Sequence, residues 1–205
     1  MVKPKIKYTV DSTFEDCLEV QEFYQVKINS LNSKHLEIKD MEFNECKFNN
    51  IDFSNILLDK VDLIDCIFDN CDLSNKIFDF GSLTRVIFKN CKLIGVSFIN
   101  SSINDLEITN CNLEYANFSG SYISNLKIEN SNLSGSTFNS CIFKKFDLND
   151  VDFRNSTFLN SSLKNIDFTS CNIAGINIDE YSLKGMIINE LDSKYLVGVL
   201  GVVVK

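Results

Sequence analysis

Ala116-Asn117-Phe118-Ser119-Gly120, Ser131-Asn132-Leu133-Ser134-Gly135 and Cys71-Asp72-Leu73-Ser74-Asn75 share one five-residue form. A small residue comes first, then Asp or Asn, then a large apolar residue, then Ser, then Gly or Asn. Extended in both directions, this register places Phe, Leu or Ile at every fifth position from Ile38 to Ile188, 31 positions without a miss. Of the 17 phenylalanines, 13 fall in it. A period of five matches neither a helix, at 3.6, nor a strand, at 2. It requires a backbone that turns a corner every few residues.

Two positions before each central residue the side chain is mostly small, as at Cys46, Val61, Cys91, Val96, Ala116 and Ser121. This is the second inward site, and seven of the eight cysteines occupy it; Cys17 does not. Two positions after the centre Asn and Gly dominate, for example Asn50, Asn55, Asn70, Asn125 and Gly120. Both tolerate positive φ, which a tight corner demands. Proline is absent after Pro4, so every repeat keeps its main-chain donor.

These segments resemble the pentapeptide-repeat family, whose pattern is A(D/N)LXX, over roughly residues 36–188. The resemblance implies an all-β solenoid, a right-handed quadrilateral β-helix in which four pentapeptides make one square turn. Residues 20 apart should then stack, and their volumes support this. One column reads Phe78, Phe98, Phe118, Phe138, Phe158, with small partners Val96, Ala116, Ser136 and Ser156. Another pairs larger Leu106, Leu126, Phe146, Ile166 and Met186 with Ile108, Ile128, Leu148, Phe168 and Ile188. Large against small fills a tube. Lys76 breaks the rule at an inward site, where a bulge or an outward-snorkelling lysine is expected.

The expected organisation is an N-terminal cap over residues 1–35, a β-helix of about eight coils over 36–190, and a C-terminal cap or dimerisation segment over 191–205. Lys5–Val10 alternates like a strand, and Phe14, Leu18 and Phe23 are placed to plug the first coil, with the β-helix beginning near Val26. Asp192 or Ser193 is the expected N-cap of a short C-terminal helix carrying Tyr195, Leu196, Val199 and Leu200. That apolar set exceeds what a cap needs, which suggests a homodimer through this end. The ending also resembles Qnr-like and MfpA-like members of the family, for which this implies the same mode of dimerisation.

The 205 residues carry a formal net charge of −8, which argues against direct nucleic-acid binding. No segment reads as a signal peptide or membrane span, no CxxC occurs, and His35 is the one histidine. The expectation is a cytoplasmic protein with reduced thiols, four disulfides being the alternative. No nucleophile elbow, phosphate loop or metalloprotease motif is present, so no catalytic residue, metal site or cofactor is expected. The expected function is non-enzymatic protein binding through a rod whose partner the sequence leaves open. The alternative, implied by the Qnr-like and MfpA-like resemblance, is a DNA mimic acting on DNA gyrase or topoisomerase IV, with a possible link to quinolone resistance. Residues 36–80 hold eleven acids against four lysines. Asp52, Asp59, Asp62, Asp65, Asp69 and Asp72 are the candidate partner-binding surface. No insertion projects from the register, so the loop-free MfpA-like rod is the closer comparison.

Overall fold

The computed structural model describes residues 1–30 and 35–203. The chain winds into a parallel β-solenoid of about eight turns. Every pair of stacked strands from Phe23–Tyr24 onward is joined at a separation of 20 residues, as in Phe23↔Phe43, Lys47↔Ile67, Ile87↔Glu107 and Leu126↔Phe146. The regular stacking thus starts at Phe23, three residues before Val26 and inside the segment assigned to the cap.

The five-residue period has a direct mechanical cause. Nearly every residue two after a centre adopts φ between about 48° and 63°, including Asn50, Asn70, Asn90 and Asn110. Each such residue turns the chain by one side of the square. The left-handed region is accepted even by Lys60, Phe80, Arg85 and Tyr115, where the fold overrides the residue's own preference. Asn55 and Asn125 are not left-handed, although the pattern predicts it. Gly120 is required for another reason: a Cβ there would lie 2.1 Å from Asn100 Oδ1 in the coil below.

The 31 central residues form the core, and all but Phe143, Leu148, Leu183 and Ile188 are buried. The phenylalanine column is stacked as its sequence predicts. Phe98, Phe118, Phe138 and Phe158 follow at 4.9, 4.7 and 4.8 Å between centroids, close to the ~4.8 Å strand spacing. The small inward residues do more than fill space. Cys71 N–H donates to Cys91 Sγ and Cys91 N–H to Cys111 Sγ, while Cys111 N–H donates to Ser131 Oγ. The same side chains return a proton to main-chain carbonyls: Cys46 to Phe23, Cys66 to Phe43, Ser101 to Phe78 and Cys141 to Phe118. A buried amide without a partner costs about 1–3 kcal/mol, which favours Cys and Ser over an equally small alanine. All eight cysteines are free and buried, Cys17 among them.

The ladder opens at two levels. The strands Leu36–Lys39 and Ile56–Asp59 form a separate two-stranded sheet, and Leu57 is not bridged to Ile77. Lys76 lies at that break. Its ammonium donates to Ile56 O at 2.8 Å, so it snorkels to a carbonyl edge; the register continues without a bulge at Ile77↔Ser97. The second opening follows Ile142–Phe143, which pairs with Tyr122–Ile123 below and is the last strand of its row. Phe146 fills an inward site that is small lower in the column, and its ring stacks on Phe143 at 4.8 Å. The added bulk coincides with the partial exposure of Phe143 and Leu148.

The ends differ from the sequence reading in detail. Helix Phe14–Val20, with a Thr13–Asp16 capping box, drops Phe14 and Cys17 into the core. Phe14 packs against Phe23, Phe48 and Phe53 and closes the first coil, while Leu18 is half-buried. Of Lys5–Val10 only Val10 enters a strand, Val10–Asp11, which pairs with Val26 and Lys27; alternation misled because the preceding residues run across the coils. Helix Glu180–Leu183 replaces the strand of the last coil, capped by Asp179. The C-terminal turns Glu190–Asp192, Ser193–Leu196 and Val197–Leu200 follow without a break. Their cap is Asn189, whose Oδ1 accepts from Asp192 N at 3.0 Å; neither Asp192 nor Ser193 caps them through its side chain.

Candidate partner-binding surface

The six candidate aspartates do not form one patch. Asp52 and Asp72 stack on one side of the square, one coil apart. Asp59 pairs with Lys39 on a second side, Asp62 with Glu42 on a third and Asp69 with Asn49 on the fourth. Asp65 sits at a corner in the left-handed region. Together they form a belt around the rod.

Half of that belt is ion-paired along the rod axis. Asp59 meets Lys39 at 3.3 Å, Asp72 meets Lys92 at 3.6 Å, and Asp65 meets Arg85 at 2.6 Å. Each pair spans one coil, as does Asp40 with Lys60. The exposed pairs contribute roughly 0–1 kcal/mol each. Asp65 differs, being buried and held by both Nε and Nη2 of Arg85 at 2.6 Å. Burial raises the Asp65 carboxyl, yet the Arg85 fork and the Lys5 amide outweigh this and hold it below the usual range. Asp52, Asp62 and Asp69 accept only neutral donors: Ser54 N, Ser82 N and Asn90 Nδ2. The hydrogen bond from Ser54 N, the leading cause, holds Asp52 below its usual value.

One feature escaped sequence reasoning. Residues 1–9 lie along the corner above Asp65, where Lys5 N donates to Asp65 Oδ1 at 2.7 Å and Val2 N to Asp105 Oδ1 at 2.8 Å. The Lys3 ammonium pairs with Glu107. The readable signal was compositional: Lys3, Lys5 and Lys7 stand in a stretch without an acid before Asp11.

Of the candidate dimer residues, Leu196 is buried against the last coil, Val199 is half-buried and Leu200 is 58% exposed. The Tyr195 side chain and residues 204–205 lie outside the described residues. Leu191, Val202 and Val203 add exposed apolar surface at the same end. A recess of about 250 Å³ lies at the second ladder opening, lined by Phe143, Lys144, Lys164 and Tyr181 among others. Among the described residues no group of three His, Cys, Asp or Glu is placed to hold a metal ion. No helix among them is long and apolar enough to cross a membrane.

Two sequence profiles match the coil. One, of a pentapeptide repeat region, covers residues 61–138; the other, of eight pentapeptide repeats, covers 42–75 and 147–185. Together they span about two thirds of the chain. The chain belongs to the pentapeptide-repeat family. Among solved structures, this pentapeptide-repeat protein is similar to full-length QnrB1, a plasmid-mediated fluoroquinolone resistance protein. The two are 22% identical over 89% of this chain and 93% of that one, with a TM-score of 0.47. HetL, involved in heterocyst differentiation regulation in the cyanobacterium Nostoc, is 13% identical over 86% and 95%, with a TM-score of 0.28. Rfr23 of the cyanobacterium Cyanothece is 14% identical over 85% and 97%, with a TM-score of 0.23. At these identities the likeness concerns the fold alone. No curated protein sequence matches.

Proposed function

We propose that this pentapeptide-repeat protein is a non-catalytic, protein-binding rod. The filled tube carries this reading. Large apolar centres and small hydrogen-bonding residues occupy the inward sites, and the outward columns present polar and charged side chains one strand spacing apart, about 4.8 Å. The surface of such a solenoid is rigid and periodic, which suits recognition of another protein. The eight buried thiols fit a reducing cytoplasm. The exposed apolar residues around Leu200 fit a homodimer through the C-terminal end. The acidic balance fits a protein partner with a basic face and neither nucleic acid nor membrane.

The test is retention of a partner from cytosolic extract by the full chain. A protein held by wild type and released by Asp52→Asn, Asp62→Asn, Asp69→Asn supports the reading. Equal retention by both, or by neither, overturns binding through the acidic belt.

A narrower reading is DNA mimicry toward a type II topoisomerase, DNA gyrase or topoisomerase IV. It is favoured by the −7 balance of residues 36–80, eleven acids against four lysines. Duplex DNA carries one charge per ~1.7 Å, and ion pairing of Asp59, Asp65 and Asp72 thins the charge of the rod further. Supercoiling by purified gyrase, titrated with this protein with and without a quinolone, tests it. Inhibition or protection at low micromolar protein, lost on neutralising Asp52, Asp62 and Asp72, supports mimicry. No effect at tens of micromolar from a folded dimer removes it.

A further inference from the structure

We propose that residues 1–9 are a displaceable strap occupying a binding track for an extended, lysine-rich segment of a partner protein. The track is the corner column Glu45, Asp65, Arg85, Asp105 with Glu107 beside it.

The geometry of the strap is unlike that of any strand in the molecule. Lys5 N reaches Asp65 and Val2 N reaches Asp105, two coils further along. Two coils are about 10 Å at the strand spacing. Three residues span at most about 10–11 Å. The strap is therefore almost fully extended and runs along the rod axis, perpendicular to the coils. Two of its amides are taken by carboxylates, so the track selects for positive charge and extension. Lys3, Lys5 and Lys7 alternate, as side chains of an extended chain do, and Lys3 pairs with Glu107.

The track is fixed and the occupant is loosely held. Asp65 is clamped by Arg85, and Asp105 accepts from Asn125 Nδ2 at 2.5 Å. The strap buries little: Pro4, Ile6 and Thr9 are half-buried, while Val2, Lys3, Lys5, Lys7 and Tyr8 are exposed. Segments with few buried apolar contacts open at low free energy. Exposed charge pairs also weaken with salt. An extended Lys-x-Lys-x-Lys segment in trans presents the same donors at the same spacing and competes for the same carboxylates. That a cellular partner supplies such a segment rests on the protein-binding reading; occupancy of the track by the strap does not.

The test uses a labelled peptide with the sequence of residues 1–9, titrated into the full chain. Wild type, its track occupied, should bind weakly. The full-length variant Lys3→Glu, Lys5→Glu, Lys7→Glu should bind at least ten-fold tighter. Adding Asp105→Asn and Glu107→Gln to that variant should reverse the gain by at least ten-fold. A folded triple variant that binds no better than wild type overturns the proposal, as does indifference to Asp105 and Glu107. Trypsin cleavage after Lys5 and Lys7 gives a second readout on the otherwise unaltered chain. Asp105→Asn with Glu107→Gln should speed it several-fold, and an unchanged rate overturns the proposal. Neither readout involves a cellular partner, so a failed strap experiment and a failed partner capture remain distinguishable.

Discussion

The Lys76 ammonium donates to the carbonyl oxygen of Ile56 at 2.8 Å, at the level where Ile77 is not bridged to Leu57. In the next coil the equivalent carbonyl, that of Lys76, accepts from Ser97 N. A side-chain amine thus stands in for a main-chain amide.

Replacing that amine should let the ladder close. Lys76→Val places at this site the residue found one coil on, at Val96. It should raise stability by about 1 kcal/mol, since a partly buried charge is removed and a main-chain hydrogen bond gained. Burial holds the Lys76 amine below its usual 10.5. The unfolded chain therefore binds more protons there, and wild-type stability rises as pH climbs toward that value. The variant should lose this slope. Urea midpoints from pH 7 to 10 check both points; a drop in midpoint would show that the ammonium holds the coils together.

Asp65 gives the opposite dependence. Its carboxyl is held below 3.8 despite burial, because Arg85 and the Lys5 amide outweigh desolvation. An acid depressed in this way stabilises the fold above its unfolded pKa, and the contribution fades as pH falls through the folded value. Asp65→Asn should cost about 1–3 kcal/mol at pH 7. The gap to wild type should narrow at pH 3, as read from denaturant midpoints at the two pH values.

The inward thiols should behave as hydrogen-bonding spacers. Cys91→Ser keeps an acceptor for Cys71 N and should stay within about 1 kcal/mol of wild type. Cys91→Ala removes it and should cost about 1–3 kcal/mol. Burial pushes Cys141 up to about 12 and Cys171 up to about 11. A thiol reagent at pH 8 should therefore label these two only after unfolding, which a titration in native and denaturing buffer checks.

The C-terminal end yields a prediction about assembly. Leu200→Glu places a charge on an exposed apolar position without touching the core. Sedimentation should report a dimer for wild type and a monomer for the variant, with thermal stability little changed. Dimers in both would remove Leu200 from the interface.

The register Ile38–Ile188 was legible because a solenoid repeats the same local problem, so each residue's role recurs every fifth position. The stacked phenylalanines were legible for the same reason, once 20 residues were taken as a turn. The ends were less so, because each cap solves its problem once. Alternation in Lys5–Val10 looked like a strand, and only the carboxylates of Asp65 and Asp105 show that the segment crosses the coils. Asn189 capped the last turns where Asp192 and Ser193 seemed as suitable, since all three side chains offer an acceptor.

The sequence by itself determined the coil, its inward columns and its corners, because those follow from volume and φ preference repeated along one chain. Tertiary structure decided what the surface presents. Asp59, Asp65 and Asp72 look like free acids in a list of charges, yet stacking sets each beside a base 20 residues away. The thiol-to-amide ladder and the strap on its corner track depend on the same stacking, since each joins groups that meet only when successive coils lie one strand spacing apart.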